Sequence, residues 1–246
     1  MNFNAQIKRI LSGMHPSEVA HSIESLPPKE RKFLWSLIDM KDEGEIIAQL
    51  HDEIQQELIS EISPEELITI IGDLELDEIV DILQILPNQK TENILSAMSL
   101  RDRQRIQEAL EYPEDSAGGL MNTDIISVRP KHNLEVVMRY LRAQRKLPKN
   151  TDQIFVVSRD NKYLGSLPIS LIVVSDPSLN VRELMETETQ PLEAHLNDKD
   201  VSRLFEQNDW VSAPVVDKES RLIGRITIDD VVDVIMEDAD QNFLGM

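Results

Sequence analysis

Cysteine is missing from all 246 residues. A disulfide framework, a thiolate zinc site and a cysteine nucleophile are therefore excluded, and a reducing compartment such as the cytoplasm suits the chain. Long apolar runs are missing too. Nothing approaches the ~18 residues of a membrane-spanning helix, and the opening MNFNAQIKRILSGMHPSEV lacks the uninterrupted apolar core of a secretory signal. The expectation is a soluble molecule. Basic side chains are scarce: 25 Lys and Arg stand against 45 Asp and Glu, a formal net charge of −20. Such a surface repels phosphate backbones and anionic lipid alike, so nucleic acid is not expected as a partner. It attracts hard divalent cations, which take oxygen ligands, although acidic surfaces also serve solubility. Enzyme signatures are absent as well. There is no Ser/His/Asp order, phosphate loop or twelve-residue calcium loop, and Gly118-Gly119 reads as a joint rather than a phosphate cradle.

What is present is enough chain for two domains, each able to bury a core, with an ordinary hydrophobic fraction of 41%. Residues 1–112 show apolar residues at three and four spacing, as in Val19, Ile23 and Leu26 or Ile79, Ile82, Leu83 and Leu86. Both stretches end alike, in Leu26-Pro27-Pro28 and Leu86-Pro87-Asn88, where proline forbids continuation. Ser17-Glu18-Val19-Ala20 aligns with Asp77-Glu78-Ile79-Val80 at an offset of sixty, and Ser63-Pro64 opens a further helix as cap and first-turn proline. This predicts an α-helical repeat of stacked hairpins. Trp35 and Phe33 are expected to pack in its core.

The texture changes at the glycine-bearing joint 113–119. Leu120-Met121 opens one unit, 120–178, and Leu184-Met185 recurs in a second, 179–238; residues 239–246 form a tail or the start of a connecting helix. Phe155-Val156-Val157 leads to Gly165 in the first unit as Pro214-Val215-Val216 leads to Gly224 in the second. Each unit reads as a short strand, a helix (134–141 and 201–207), two strands around a turn, and a closing helix. This half is α+β.

These repeated residues resemble the CBS module, which works in pairs and often binds nucleotides or ions. The block Tyr112-Pro113-Glu114-Asp115-Ser116-Ala117-Gly118-Gly119-Leu120-Met121, the helical repeats before it and Ile228-Asp229-Asp230-Val231-Val232-Asp233-Val234-Ile235 after it together resemble the cytosolic part of the MgtE family of magnesium transporters. The resemblance implies a homodimer that senses Mg2+. Its helical domains and CBS pairs would close on one another when the ion bridges their acidic faces, gating a transmembrane pore domain absent from this chain. It would then sit at the cytoplasmic face of the inner membrane, if the chain is part of a full-length transporter. The alternative is a stand-alone CBS adaptor regulated by adenine nucleotide.

The last helix carries Asp230, Asp233 and Glu237 at three and four spacing beside an apolar face, with Asp238 following. Like charges so placed repel, and a divalent cation would reverse the sign. Glu206 and Asp209 add carboxylates that the second unit could bring near Asp230. Asp77 and Asp81, one turn apart, would by resemblance meet Asp230 and Asp233; Asp77 and Glu78 could equally cap a helix. Oxygen ligands favour Mg2+ over zinc, with calcium and manganese left open. For a nucleotide such as ATP, Thr227 and Asp230 match the CBS pattern for ribose hydroxyls. The first unit departs from it, because Pro168 and Leu171 occupy the equivalent positions and cannot donate or accept in that way.

Overall fold

The computed structural model describes residues 3–244, with side chains described to residue 236. The chain divides into two compact units, Met1–Glu108 and Ala109–Met246.

In the first unit, α1 (Phe3–Leu11), α2 (Pro16–Glu24), α3 (Pro28–Trp35), α4 (Met40–Ala48), α5 (Asp52–Ser60), α6 (Pro64–Ile71), α7 (Leu76–Gln84), α8 (Asn88–Ala97) and α9 (Leu100–Ala109) follow one another. From α2 onward each begins twelve residues after the last. Packing runs from α2 to α4, α4 to α6 and α6 to α8, so the structural repeat is two helices and 24 residues. The sequence offset of sixty is five helical steps, and it superimposes the first helix of one pair on the second of another. At 24-residue spacing Ile23, Ile47, Ile71 and Leu95 are all buried, forming one apolar column through the stack.

Side chains fasten each turn at a recurring place. Arg31 donates to Ile23 O, Gln55 to Ile47 O and Thr91 to Leu83 O, each eight residues back at the end of the preceding helix. These bonds satisfy carbonyls that a helix end leaves without an internal partner. Lys90 does more: its Nζ donates to Ile59 O, Ser60 O and Ile62 O at 2.6, 3.2 and 2.9 Å, closing the end of α5. Gly44 marks the tightest crossing, since a Cβ there would lie 2.4 Å from Ile70 O. Ser63 caps α6 through Glu66 N, with Pro64 in the first turn. Phe33 does not join the core. It is 46% exposed, because residues two apart do not share a helix face; Trp35 alone of the two packs against the core of α2 and α4.

The second unit holds two three-stranded sheets of one design. β1 (Ser127–Val128), α10 (Leu134–Ala143), β2 (Gln153–Val157), β3 (Tyr163–Pro168) and α11 (Ile169–Val174) make the first module; α12 (Val181–Leu184), β4 (Leu192–Glu193), α13 (Asp198–Asn208), β5 (Ser212–Val216), β6 (Leu222–Thr227) and α14 (Ile228–Leu244) follow. Orders are β1-β2-β3 and β4-β5-β6, parallel then antiparallel. The valine pair carries the same bulge in both, between Val156 and Val157 and between Val215 and Val216. Between the modules, Tyr163 N donates to Ser220 O and Leu222 N to Asn161 O, two bonds related by an internal twofold.

The opening segments are exchanged. Ala117 and Met121 pack with Leu192, Val215 and Ile226 in the core of the second module, whereas Val181, Leu184 and Met185 pack with Val128, Val156 and Leu167 in the first. Units cut at 120 and 179 thus follow the sequence order but not the packing.

Candidate functional site

The proposed ligands lie on three helices. In α7, Asp77 is 7% exposed and Asp81 is exposed one turn later. The cap of α7 is made by Glu75 and Glu78, each side chain bonding the other's backbone N–H, with Glu78 Oε2 2.7 Å from Glu75 N. Glu78 therefore takes the capping role. In α13, Glu206 is exposed and Asp209 terminates the helix in the left-handed region at φ 53°, its N–H donating to Phe205 O. That turn sets Trp210 edge-on to Phe205, with ring centroids 5.7 Å apart, in the core of the second module. α13 packs directly on α14.

At the start of α14, Asp230 Oδ2 accepts from Thr227 N at 3.3 Å and from Thr227 Oγ1 at 3.1 Å. This is the reciprocal arrangement of a helix start, with Thr227 before the helix and a carboxylate three residues on. Asp229, which the sequence offered only as part of a motif, is wired more extensively. One oxygen takes the Thr227 hydroxyl and the other accepts from Asn150 Nδ2 at 2.8 Å. Asp233 follows Asp229 by one turn. Its pKa is raised, first because surrounding protein removes solvent from the carboxyl and then because Asp229 is also negative. The side chains of Glu237 and Asp238 lie outside the described residues. Among the described residues no three carboxylates or imidazoles stand together as a ready-made metal cluster.

The helical unit has a comparable pair. Glu43 on α4 has a raised pKa, through burial and then through the charge of Glu66 on α6.

The two modules differ at the start of their closing helices. In the first module Pro168 precedes α11 without any side-chain cap, and Leu171 stands where the second module has Asp230. Beside α13 lies an open cavity of about 620 Å³, floored by Leu192, Leu196, Leu204 and Trp210 and rimmed by Glu188 and Glu193. No described helix is long and apolar enough to cross a membrane.

A helical repeat domain followed by two α+β modules of one design is the architecture of a helical domain joined to a CBS pair. Comparison with known proteins agrees. The MgtE intracellular N domain matches residues 14–115, and the CBS domain matches 117–173 and 181–237. The magnesium transporter MgtE of Thermus thermophilus is 29% identical over 239 residues, covering 96% of this chain and 53% of the relative. That of Bacillus subtilis is 22% identical over 236 residues, covering 96% and 52%. The chain spans about half the length of these curated relatives. Among solved structures, the cytosolic domain of the Mg2+ channel MgtE in complex with ATP matches with a TM-score of 0.85 and 29% identity, covering 92% of this chain and 93% of the other. The soluble part of a magnesium transporter shares the fold, with a TM-score of 0.81 at 22% identity, covering 96% and 94%. The chain belongs to the MgtE family, of which it carries the N domain and the CBS pair.

Proposed function

We propose that this chain is the cytosolic Mg2+-sensing region of a magnesium transporter, and that it gates ion flux by closing when Mg2+ binds between its helical unit and its CBS pair. The observation that carries the reading is the placement of Asp229, Asp230 and Asp233 on the first two turns of α14, where the Asp233 carboxyl ionises above its ordinary range through loss of solvent and then through the charge of Asp229. A hard cation favours the ionised form of both carboxylates, so its binding energy is coupled to their repulsion. Asp77 and Asp81 of α7 would supply ligands from the helical unit, and Asp230, Asp233, Glu237 and Asp238 those of α14, with Glu206 and Asp209 beside them. The donor set fits Mg2+, which binds through one or two carboxylates and keeps several waters. An ion that shifts the chain to a closed form must bind that form more tightly.

Calorimetric titration with Mg2+ tests the assignment. Saturable binding should weaken in Asp77→Asn and in Asp230→Asn; unchanged binding in both would remove those residues from the site. The pairing of two chains that the family resemblance suggests belongs to the same proposal, and sedimentation with and without Mg2+ would test it.

A second reading has its own observation. Thr227 and Asp230 match the pattern that CBS modules use for ribose hydroxyls and are hydrogen-bonded to each other, and a structural relative is described in complex with ATP. We propose adenine nucleotide as a ligand of this one cleft, since Pro168 and Leu171 cannot serve the other.

A further inference from the structure

The loop of the first module that precedes β2 meets the second module beside Thr227 and Asp230. Arg225 is 3% exposed and grips this loop by two carbonyls: Nη2 donates to Lys149 O at 2.5 Å and Nη1 to Asn150 O at 3.3 Å, while its Nε is buried without a partner. Asn150 sits in the left-handed region at φ 50°. Its side-chain amide donates to Asp229 Oδ2 at 2.8 Å, and the other Asp229 oxygen takes the Thr227 hydroxyl. Beside it Ser212 Oγ donates to Asp152 Oδ1 at 2.5 Å, and Gln153 Nε2 donates to Ser212 O at 2.9 Å.

The twofold-related positions, 59 residues away, lack this chemistry. Asp209 repeats the left-handed backbone of Asn150, but Ser166 replaces Arg225, Pro168 replaces Thr227, Ser170 replaces Asp229 and Leu171 replaces Asp230. The backbone design is shared by both modules, and the side-chain wiring belongs to one. Its location coincides with the nucleotide chemistry rather than with the symmetry of the fold.

We propose that Asn150 is an internal plug of the nucleotide cleft, holding Asp229 and through it the Thr227 hydroxyl, so that a nucleotide must break the Asn150 contact to enter. The Thr227 hydroxyl is shared between Asp229 and Asp230 and must turn from them to donate to a ribose oxygen. Asn150 fixes Asp229 in the arrangement that holds this hydroxyl, so nucleotide occupancy and the Asn150 contact oppose each other. Occupancy is thereby linked to release of loop 147–151, which Arg225 otherwise ties to the second module. The inference rests on the nucleotide reading above.

Two variants of the whole chain test it. Asn150→Gly removes the amide and keeps the left-handed backbone without strain. Asn150→Asp places a carboxylate against Asp229. ATP and AMP are titrated by calorimetry, and amide hydrogen exchange of residues 147–151 is followed without nucleotide. Both variants should bind ATP or AMP more tightly than the parent, by roughly tenfold, the equivalent of one charge-assisted hydrogen bond no longer broken. Exchange in the loop should quicken in both. If the parent binds and the variants bind equally or more weakly, or if exchange does not change, the plug is wrong and the nucleotide reading stands. If no form binds either nucleotide, the nucleotide reading fails and takes the plug with it.

Discussion

Asp229 and Asp233 stand one turn apart on α14, and the carboxyl of Asp233 ionises above its ordinary range, chiefly through loss of solvent and further through the neighbouring charge. Folding therefore favours the protonated form. The folded state is relatively more stable in acid and loses that advantage as pH rises through the ordinary Asp range to the raised value, leaving a constant penalty at neutral pH. Asp233→Asn should stabilise the metal-free chain at pH 7 by about 0.2–0.5 kcal/mol, the size of one like-charge pair on a helix. Below about pH 3, where the carboxyl is mostly neutral in both states, the gain should vanish. Urea unfolding in EDTA at the two pH values measures it. If Asp233 is a Mg2+ ligand as proposed, the same substitution should lose its advantage in saturating Mg2+.

Asp209 separates backbone from ligand roles. Its left-handed turn favours glycine, so Asp209→Gly should leave stability within about 0.5 kcal/mol of the parent, whereas Asp209→Ala should cost about 1–2 kcal/mol of backbone strain. Thermal unfolding gives both values. If Asp209 is a ligand, the glycine variant should still lose part of the Mg2+ response while folding normally.

Lys90 holds three carbonyls near the end of α5, and burial lowers its pKa. Replacing it with Met leaves those oxygens without their donor. Lys90→Met should destabilise the helical unit by about 0.5–1.5 kcal/mol, the net worth of hydrogen bonds to partly buried acceptors. Chemical denaturation followed by circular dichroism at 222 nm, where helix loss dominates the signal, reports it.

Gly44 and Gly13 form a matched pair. A Cβ at Gly44 meets Ile70 O at 2.4 Å, while at Gly13 it meets Ile10 O at an ordinary 3.5 Å. Gly44→Ala should cost about 1–3 kcal/mol through forced separation of α4 and α6. Gly13→Ala should be neutral or slightly stabilising, and the two melting curves side by side are the check.

Much of this architecture could be read before any coordinates. The spacing from valine pair to glycine in each CBS module survives as the shared bulge opposite Gly165 and Gly224. Ser63-Pro64 marks a true helix start. The helical repeat is legible too, though its period is shorter than the Leu-Pro steps at Leu26 and Leu86 suggest: Met14, Leu26, Ile38, Leu50, Ile62, Leu74, Leu86 and Met98 recur every twelve residues, of which sixty is five steps. The exchange of Met121 and Met185 between modules left no local signal, since an apolar residue satisfies either core. Asp229 and Asn150 were equally hidden. They are 79 residues apart, and only the folded chain brings an amide in the first module to a carboxylate in the second.

Small-angle scattering of the whole chain through a Mg2+ titration, from EDTA to several millimolar, tests the central claim. The radius of gyration should fall saturably, and the fall should be lost when Asp230 and Asp233 are both replaced by Asn. Superimposable curves across the titration, or an equal contraction in the double variant, would contradict a sensor that closes around these carboxylates.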